Sequence, residues 1–292
     1  MTEFLPIRPG DTIGVAAPSA RFESDRLEKG IACLEHLGFQ VVVPEEVFQA
    51  KRYLAGEDSL RARVLSDLFR NPDIHGIIAA RGGFGSMRIL EYMDWEGMQA
   101  HPKPVIGFSD VTALLNILIQ RSGIGGIHGP NLVSLAEASP ETLSSFVLAL
   151  SNQPRDMELA QGVCLVPGRA KGPLMGGNLA TLTHMIGTPY QPDFSEAVLF
   201  LEDTGEPAYK IDRMLSQMKM AGLFSEIRAV VTGCFSDCRN EEYLPEIFSE
   251  IFEPYEIPVL MGLDSGHASP NLSLVMGRQV RVDASSRTIR WE

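Results

Sequence analysis

Pro-Val-Ile-Gly-Phe-Ser-Asp-Val-Thr, residues 104–112, is the stretch from which the fold can be worked out. A short β-branched run ends there in small and polar residues. The apolar residues that come next recur at helical spacing: Leu114, Leu115, Leu118 and Ile119. The pattern predicts a strand, a tight turn and a helix, with Ser109 at the turn and the first N–H groups of the helix beside it.

A serine at such a turn has two interpretations. It could be a nucleophile on a sharp elbow, where backbone N–H groups and the positive end of the helix dipole stabilise an oxyanion. Ser109 or Asp110 could instead simply cap the helix, as both residue types commonly do. The elbow pattern G-x-S-x-G is not met, because Val111 stands at its second glycine. Taken alone, this stretch favours capping.

Strand and helix patterns alternate on both sides of the Ser109 turn. Alternation of this kind predicts an α/β fold with a mostly parallel sheet, helices on both faces and ligands at the carboxyl ends of the strands. The pattern weakens between residues 139 and 172, so we expect a domain boundary there. The expected division is a Rossmann-like N-terminal domain over 1–150, a linker over 151–172 and a smaller, β-rich α/β domain over 173–292.

The composition excludes several classes of protein. Of 292 residues, 45% are hydrophobic and 21% charged, which is typical of a soluble globular protein. The formal net charge of -12 argues against general nucleic-acid binding and against acidic membranes. Neither a secretory signal nor a membrane span is apparent, and four scattered cysteines suit a reducing compartment, so we expect a cytoplasmic protein.

A glycine-rich turn, Arg81-Gly82-Gly83-Phe84-Gly85, follows the strand predicted over 74–80. It could be an oxyanion-donor or phosphate-binding loop beside Ser109, or a tight turn before the next helix. It lacks the glycine spacing of a dinucleotide loop and the Lys-Ser/Thr pair of a P-loop, so neither NAD nor ATP is expected. Cys234 and Cys238 have no His or further Cys near them in sequence, so no metal is expected either.

A nucleophilic serine needs a base, and six histidines are available. Four read as surface or packing residues: His36, His75, His101 and His184. His128 lies in an expected loop after the elbow helix and could line a site. His267 is the best base, because its small neighbours and the turn that follows would leave the imidazole uncovered.

The base in turn needs a carboxylate to orient it. Glu202, at the end of a strand, is the best candidate, with Asp203 and Asp264 as rivals. Glu202 and Asp203 are adjacent, so on a strand their side chains point to opposite faces and only one can reach His267. We expect that one to be Glu202.

Eight segments, in order along the chain, resemble the LD-carboxypeptidases, family S66 of the serine peptidases, which includes muramoyl-tetrapeptide carboxypeptidases and microcin C immunity hydrolases. The segments are Val15-Ala16-Ala17-Pro18-Ser19, Arg81-Gly82-Gly83-Phe84-Gly85, Ile106-Gly107-Phe108-Ser109-Asp110-Val111-Thr112, His128-Gly129-Pro130, Gly176-Gly177-Asn178-Leu179, Phe200-Leu201-Glu202-Asp203, Tyr209-Lys210-Ile211-Asp212-Arg213 and Gly266-His267. One departure is Val275-Met276-Gly277, where the family usually has Pro before the final Gly.

The resemblance implies a catalytic set carried by both domains, with the site in a cleft between them. The nucleophile would be Ser109, the acid Glu202 and the base His267, with the backbone N–H groups of Asp110 and Gly83 as oxyanion donors. It also implies a cytoplasmic homodimer that needs no metal and removes terminal D-alanine from murein tetrapeptide during peptidoglycan recycling.

The resemblance leaves two classes of substrate open. Arg81 is a candidate for substrate binding because it borders the glycine loop. The alternative substrates are aminoacyl or peptidyl sulfamoyl adenylates, whose adenine calls for an aromatic face. Only two tryptophans are available, Trp95 and Trp291, and neither lies in the expected cleft loops, so the murein tetrapeptide is favoured. A Phe or Tyr ring could take the place of Trp, so the adenylates stay an alternative.

Overall fold

The computed structural model describes residues 4–292, which fold into two compact units. The first unit runs up to Pro154 and also includes Leu272–Val275. The second comprises Arg155–Asn271 and Met276–Glu292. The chain therefore crosses from the second unit to the first and back again near its end.

The first unit alternates strands and helices, as its sequence pattern predicts. Its elements are β1 (Thr12–Ala16), α1 (Ser24–His36), β2 (Gln40–Val42), α2 (Asp58–Arg70), β3 (Gly76–Ala79), α3 (Ser86–Ile89), α4 (Trp95–Ala100), β4 (Val105–Gly107), α5 (Thr112–Ser122), β5 (Gly126–His128), α6 (Leu132–Leu135) and α7 (Pro140–Leu150). Short 3₁₀ turns occupy Glu45–Phe48, Leu90–Tyr92 and Ser109–Val111.

The second unit contains more strand than helix. Its elements are β6 (Met157–Glu158), β7 (Val163–Val166), β8 (Arg169–Asn178), α8 (Leu179–His184), β9 (Val198–Thr204), α9 (Ala208–Met220), β10 (Ala229–Ser236), α10 (Leu244–Phe252), β11 (Val259–Met261), β13 (Gln279–Asp283) and β14 (Thr288–Trp291). The strand that lies between β11 and β13 in the chain, β12 (Leu274–Met276), joins the sheet of the first unit. Two further 3₁₀ turns cover Glu241–Tyr243 and Glu253–Tyr255.

The six-stranded sheet of the first unit has the order β12-β5-β4-β3-β1-β2, and its pairs from β5 to β2 are parallel. The continuous apolar runs of β1 and β3 are buried, as strands covered on both faces must be. From β1 the chain passes to β2 on one side, whereas from β3 it passes to β4 on the other. The loops that leave β1 and β3 therefore meet at the topological switch point, where open α/β sheets bind ligands.

The eight-stranded sheet of the second unit has the order β6-β14-β13-β8-β9-β10-β11-β7. Its centre, β8 to β11, is parallel, and antiparallel strands complete both edges. Strand β9 lies at the centre with its residues buried up to Asp203. It delivers two adjacent carboxylates, those of Glu202 and Asp203, near its carboxyl end.

The α/β fold class, with a Rossmann-like first part and a β-rich second part, is confirmed. Residues 151–172 are different from the expected linker, because they contain β6, β7 and the first part of β8. The glycines and prolines of this segment suggested a loop, but its short strands gain their stability from pairing with β14, β11 and β13, which lie more than 90 residues further along the chain. Among the described residues, no helix combines the length and apolarity that crossing a membrane requires.

Candidate active site

Ser109 lies at the sharp turn that its sequence predicts. It follows β4, opens the 3₁₀ turn that leads into α5, and has a φ of 64°. A left-handed conformation is uncommon for a residue other than glycine, and such conformations cluster at functional sites. The residue at the N-cap of α5 is Val111, with no side-chain cap, so the capping interpretation does not describe this helix.

The glycine loop lies directly against Ser109, as expected for loops that leave neighbouring parallel strands. A Cβ atom added to Gly82 would lie 2.9 Å from the Cβ and 3.1 Å from the Oγ of Ser109. Only a glycine allows this approach without a shift of the serine. Gly83, the next residue, is exposed and has a φ of 105°. The glycine loop therefore meets the Ser109 turn at Gly82, the residue before the predicted donor Gly83.

Asn131 is a further residue of this region, and the sequence interpretation missed it. Its buried amide accepts a hydrogen bond through Oδ1 from the N–H of Phe108 at 3.3 Å. Its Nδ2 would lie 3.4 Å from a Cβ on Gly82, so the same amide reaches the glycine loop. The only sequence signal was its position directly after His128-Gly129-Pro130. Asn131 thus packs between the Ser109 turn and the glycine loop.

In the second unit, His267 and Glu202 form a hydrogen-bonded pair. The His267 Nδ1 atom lies 2.7 Å from Oε2 of Glu202, whose side chain is wholly buried. The imidazole is only 20% exposed, and not uncovered as its small neighbours suggested, because it packs onto this carboxylate. A carboxylate at Nδ1 fixes the tautomer and leaves Nε2 as the nitrogen suited to accept a proton.

The turn that carries His267 passes close to the carboxylate of Glu202. Gly266 has a φ of 113°, and a Cβ there would lie 2.5 Å from the Glu202 Oε2 atom. The Gly266 N–H donates to Oδ1 of Asn271 at 2.9 Å, which closes the turn. The glycine therefore lets the backbone pass close to the carboxylate while the next residue binds it.

The pKa of His267 reflects two opposed effects. Burial lowers it, but the hydrogen bond and the charge of Glu202, with a smaller contribution from Asp203, raise it above the ordinary 6.5. The pair therefore favours the imidazolium, the form that a general base reaches after taking a proton. This is the electrostatic role of the carboxylate in an acid–base–nucleophile set.

The carboxylate of Asp203, the neighbour of Glu202 on β9, accepts hydrogen bonds from the backbone and from Asn178. The donors are the N–H of Ala180 at 2.9 Å, the N–H of Thr204 at 2.8 Å and Nδ2 of Asn178 at 3.1 Å. Burial, together with the nearby charge of Glu202, raises its pKa to about 6 despite these hydrogen bonds. Asp203 therefore holds the start of α8, while Glu202 holds the imidazole. The other rival, Asp264, is exposed.

The remaining histidines divide as the sequence predicted, with one exception. Four of them are exposed: His36, His75, His101 and His184. His128 was expected in a loop but is the last residue of β5, wholly buried and in edge-to-face contact with Phe108 at 6.2 Å between ring centroids. Gly126-Ile127-His128 is too short for its strand period to be recognised. Arg81 is exposed, and its Nη1 donates to the carbonyl of Arg21 at 2.9 Å.

The cysteines are free thiols. The Cys234 thiol lies in β10, 3.6 Å from the carbonyl oxygen of Leu263, and Cys238 is buried just beyond the same strand. Within residues 4–292, no three His, Cys, Asp or Glu side chains are grouped as metal ligands would be.

Comparison with known proteins shows which protein family this chain matches. Residues 13–129 match the model of the LD-carboxypeptidase N-terminal domain, and residues 171–282 match that of the C-terminal domain. A probable murein peptide carboxypeptidase of Bacillus subtilis is 34% identical, over 97% of this chain and 92% of the relative. A murein tetrapeptide carboxypeptidase of Pseudomonas aeruginosa is 32% identical, over 96% of this chain and 94% of the relative.

The solved structures include one close in fold. MccF in complex with glutamyl sulfamoyl guanosine superposes with a TM-score of 0.91 at 27% identity, over 98% of this chain and 97% of the other.

Proposed function

The chain belongs to the LD-carboxypeptidase family, and from that premise we propose that it is a serine carboxypeptidase that releases terminal D-alanine from murein tetrapeptide. The observation that carries the proposal is the buried Glu202–His267 hydrogen bond, because this is the acid–base unit that serine catalysis requires. The names of the relatives from Bacillus subtilis and Pseudomonas aeruginosa support a murein peptide as substrate.

The reaction would proceed by acyl transfer. Ser109 Oγ attacks the carbonyl carbon between the L-centre of diaminopimelate and D-alanine, and Nε2 of His267 takes the hydroxyl proton. The N–H groups of Asp110 and Gly83 bind the oxyanion of the tetrahedral intermediate. Collapse breaks the C–N bond, and His267 gives its proton to the departing amine. A water molecule, activated by the same histidine, then hydrolyses the acyl-enzyme and frees Ser109.

Arg81 is proposed as the residue that binds a substrate carboxylate. Its guanidinium is exposed and borders the glycine loop. The tetrapeptide carries several carboxylates, and arginine recognises such groups through its planar fork of donors. Arg81→Gln should therefore raise KM for the tetrapeptide more than it lowers kcat.

A second candidate function is hydrolysis of aminoacyl or peptidyl sulfamoyl adenylates. The observation that favours it is the TM-score of 0.91 to MccF bound to a sulfamoyl nucleoside. Against it, both tryptophans belong to regular elements, since Trp95 is the first residue of α4 and Trp291 is the last of β14. Neither tryptophan belongs to the loop around Gly82 or to the turn around His267, where a base could stack beside the proposed chemistry.

The two functions are separated by direct competition. The enzyme is incubated with tetrapeptide and, separately, with an aminoacyl sulfamoyl adenylate, and kcat/KM is measured for each. We expect the tetrapeptide to be the better substrate. Turnover of the adenylate that is faster by about tenfold or more would select the second function and leave the catalytic residues as proposed. A binding protein without chemistry would turn over neither.

Cytoplasmic location and a homodimer also belong to this proposal, since both come from the family resemblance. Analytical ultracentrifugation at several concentrations tests the dimer. Fractionation of the cells that produce the protein tests the location. A monomer at all concentrations would remove the dimer from the proposal without affecting the chemistry.

A further inference from the structure

The carboxylate of Asp110 has a structural role that the reaction scheme leaves unused. Asp110 follows the proposed nucleophile, and its backbone N–H is one of the two proposed oxyanion donors. Asp110 is 5% exposed, and its Oδ2 accepts a hydrogen bond from the N–H of Ser86 at 2.7 Å. Ser86 lies three residues after Gly83, the other proposed donor. One residue therefore connects the nucleophile turn with the end of the glycine loop.

Residues 85 and 86, at the end of the glycine loop, also bind Arg61 and the loop that leaves β1. The Ser86 Oγ atom lies 2.8 Å from Oγ of Ser19, in the loop that leaves β1. The Gly85 carbonyl accepts a hydrogen bond at 3.0 Å from Nη1 of Arg61, which also donates to the carbonyl of Pro18. Arg61 is 3% exposed. These contacts fix the loops from β1 and β3 to each other at the switch point of the sheet.

The buried charges around these loops are paired with opposite charges. Burial lowers the pKa of Arg61, and the carboxylates of Asp58 and Asp110 act in the opposite direction. Asp58 also pairs with Arg88, whose Nε lies 3.0 Å from Oδ2. Asp110 thus has a buried cation near it, and the Ser86 N–H has a charged acceptor, which makes a stronger hydrogen bond than a neutral one.

We propose that the Asp110 carboxylate is a positioning residue that sets the separation of the two oxyanion donors, the N–H groups of Asp110 and Gly83. The inference rests on the proposed acyl-transfer function. The donor of Asp110 and the acceptor for Ser86 belong to the same residue, so the hydrogen bond fixes the distance from the nucleophile turn to the segment 83–86. An oxyanion is stabilised when its donors already point at one position before the reaction begins. The hydrogen bond between Ser86 and Asp110 holds the two N–H groups in that arrangement.

The test compares Asp110→Ala with Asp110→Asn. Asparagine keeps an oxygen that can accept from Ser86, whereas alanine cannot. For Asp110→Ala we expect kcat for D-alanine release to fall by about 10²-fold, with KM changed by less than about threefold, since the lost interaction acts mainly in the transition state. Asp110→Asn should retain kcat within about tenfold of the wild type, because the hydrogen bond survives without its charge.

A second measurement separates this inference from the proposed function. A fluorophosphonate probe bonds its phosphorus to Ser109 Oγ with loss of fluoride, and its P=O oxygen uses the same donors whatever the natural substrate is. If the wild type releases no D-alanine but is labelled at Ser109, labelling rates should still fall in the order wild type, Asn, Ala. Thermal unfolding shows that each variant is folded, and Asp110→Ser replaces the alanine variant if that one does not fold.

Three outcomes would overturn the inference. In the first, folded Asp110→Ala keeps both kcat and the labelling rate within about threefold of the wild type. In the second, Asp110→Asn and Asp110→Ala reduce kcat and the labelling rate equally. The charge of residue 110, and not its hydrogen bond to Ser86, would then be what matters. In the third, the wild type is not labelled at Ser109, which removes the nucleophile and the inference together.

Discussion

The turn at Ser109 and the Glu202–His267 pair are held in place by different means. The position of Ser109 is set by the backbone. Ser109 has a left-handed φ, Gly82 approaches it closely, and the side chains of Asp110 and Asn131 bind main-chain N–H groups. Around His267 the imidazole is held by a side-chain hydrogen bond to the buried carboxylate of Glu202, and Gly266 lets the backbone pass close to that carboxylate. Both regions should therefore be sensitive to added volume, at Gly82 and at Gly266, and the second should also be sensitive to the removal of charge.

The difference follows from what each group must do. A serine hydroxyl is ordinary in its chemistry, so its reactivity depends on where the surrounding N–H groups point. An imidazole is already a base near neutral pH, so its environment has only to select a tautomer and stabilise the charged form. Substitutions can test the two regions independently.

The largest expected effect is in the first region, from Ser109→Ala. The variant keeps the Cβ atom that meets Gly82, so the turn should stay folded, while the attacking oxygen is lost. Loss of a nucleophile costs on the order of 10⁶ in kcat. Steady-state release of D-alanine measures this, with thermal unfolding as the control. A fall of less than about tenfold would show that Ser109 is not the nucleophile.

The next effect is in the second region, where Glu202→Gln and Asp203→Asn form a matched pair of adjacent substitutions. Glu202→Gln leaves His267 without its carboxylate, and we expect kcat to fall by about 10⁴-fold. Asp203→Asn disturbs hydrogen bonds at the start of α8, each of which contributes about 1 kcal/mol, so activity should stay within about tenfold. Equal losses in two folded variants would contradict the assignment of Glu202.

Gly82→Ala tests the volume sensitivity of the first region. Gly82 does not have a left-handed φ, so alanine suits its backbone, but the methyl group would meet Ser109 at 2.9 Å. We expect kcat to fall by about 10²-fold with little change in stability, since small displacements at a reacting centre cost this much. The control is Gly123→Ala, where φ is 68° and no atom lies within 4 Å of the new Cβ. It should lose about 1 kcal/mol of stability and keep its activity.

The smallest effect is on pH dependence. His267 acts as a base only when neutral, and Glu202 raises its pKa above 6.5, so kcat/KM should rise with pH through an apparent pKa above that value. The stabilisation that the protonated pair gives the fold is complete below 6.5 and is lost as the pH rises through the raised pKa. In Glu202→Gln the effect of burial is opposed only by the smaller contribution of Asp203, so NMR titration should find the imidazole pKa lowered. An unchanged pKa would contradict the role of Glu202.

The alternation of elements in the first unit could be predicted because each strand and helix carries its own period. The strand predicted over 74–80, for example, is β3 (Gly76–Ala79) in the structure. Pairings between distant segments have no such local signal. The strands within 151–172 and the return of 272–275 to the first unit depend on partners far away in sequence, so they could not be predicted.

The candidate site shows the same division. The acid and base were chosen from residue type and position, and the structure brings the chosen pair to 2.7 Å. The contacts that hold the loops were missed: Asn131 on Phe108, and Asp110 on Ser86. An asparagine after a proline and an aspartate at a helix start have common local explanations, so only the folded chain shows which backbone groups they bind.

The most direct test of the account is to look for the acyl-enzyme. Wild-type protein is mixed with murein tetrapeptide, quenched in acid within the first turnover and digested, and the peptide that contains Ser109 is examined by mass spectrometry. The account predicts a tripeptidyl adduct on Ser109 that forms as D-alanine is released, decays on hydrolysis and is absent from Ser109→Ala. Release of D-alanine at an undiminished rate by Ser109→Ala, with no adduct on the wild type at any quench time, would contradict it.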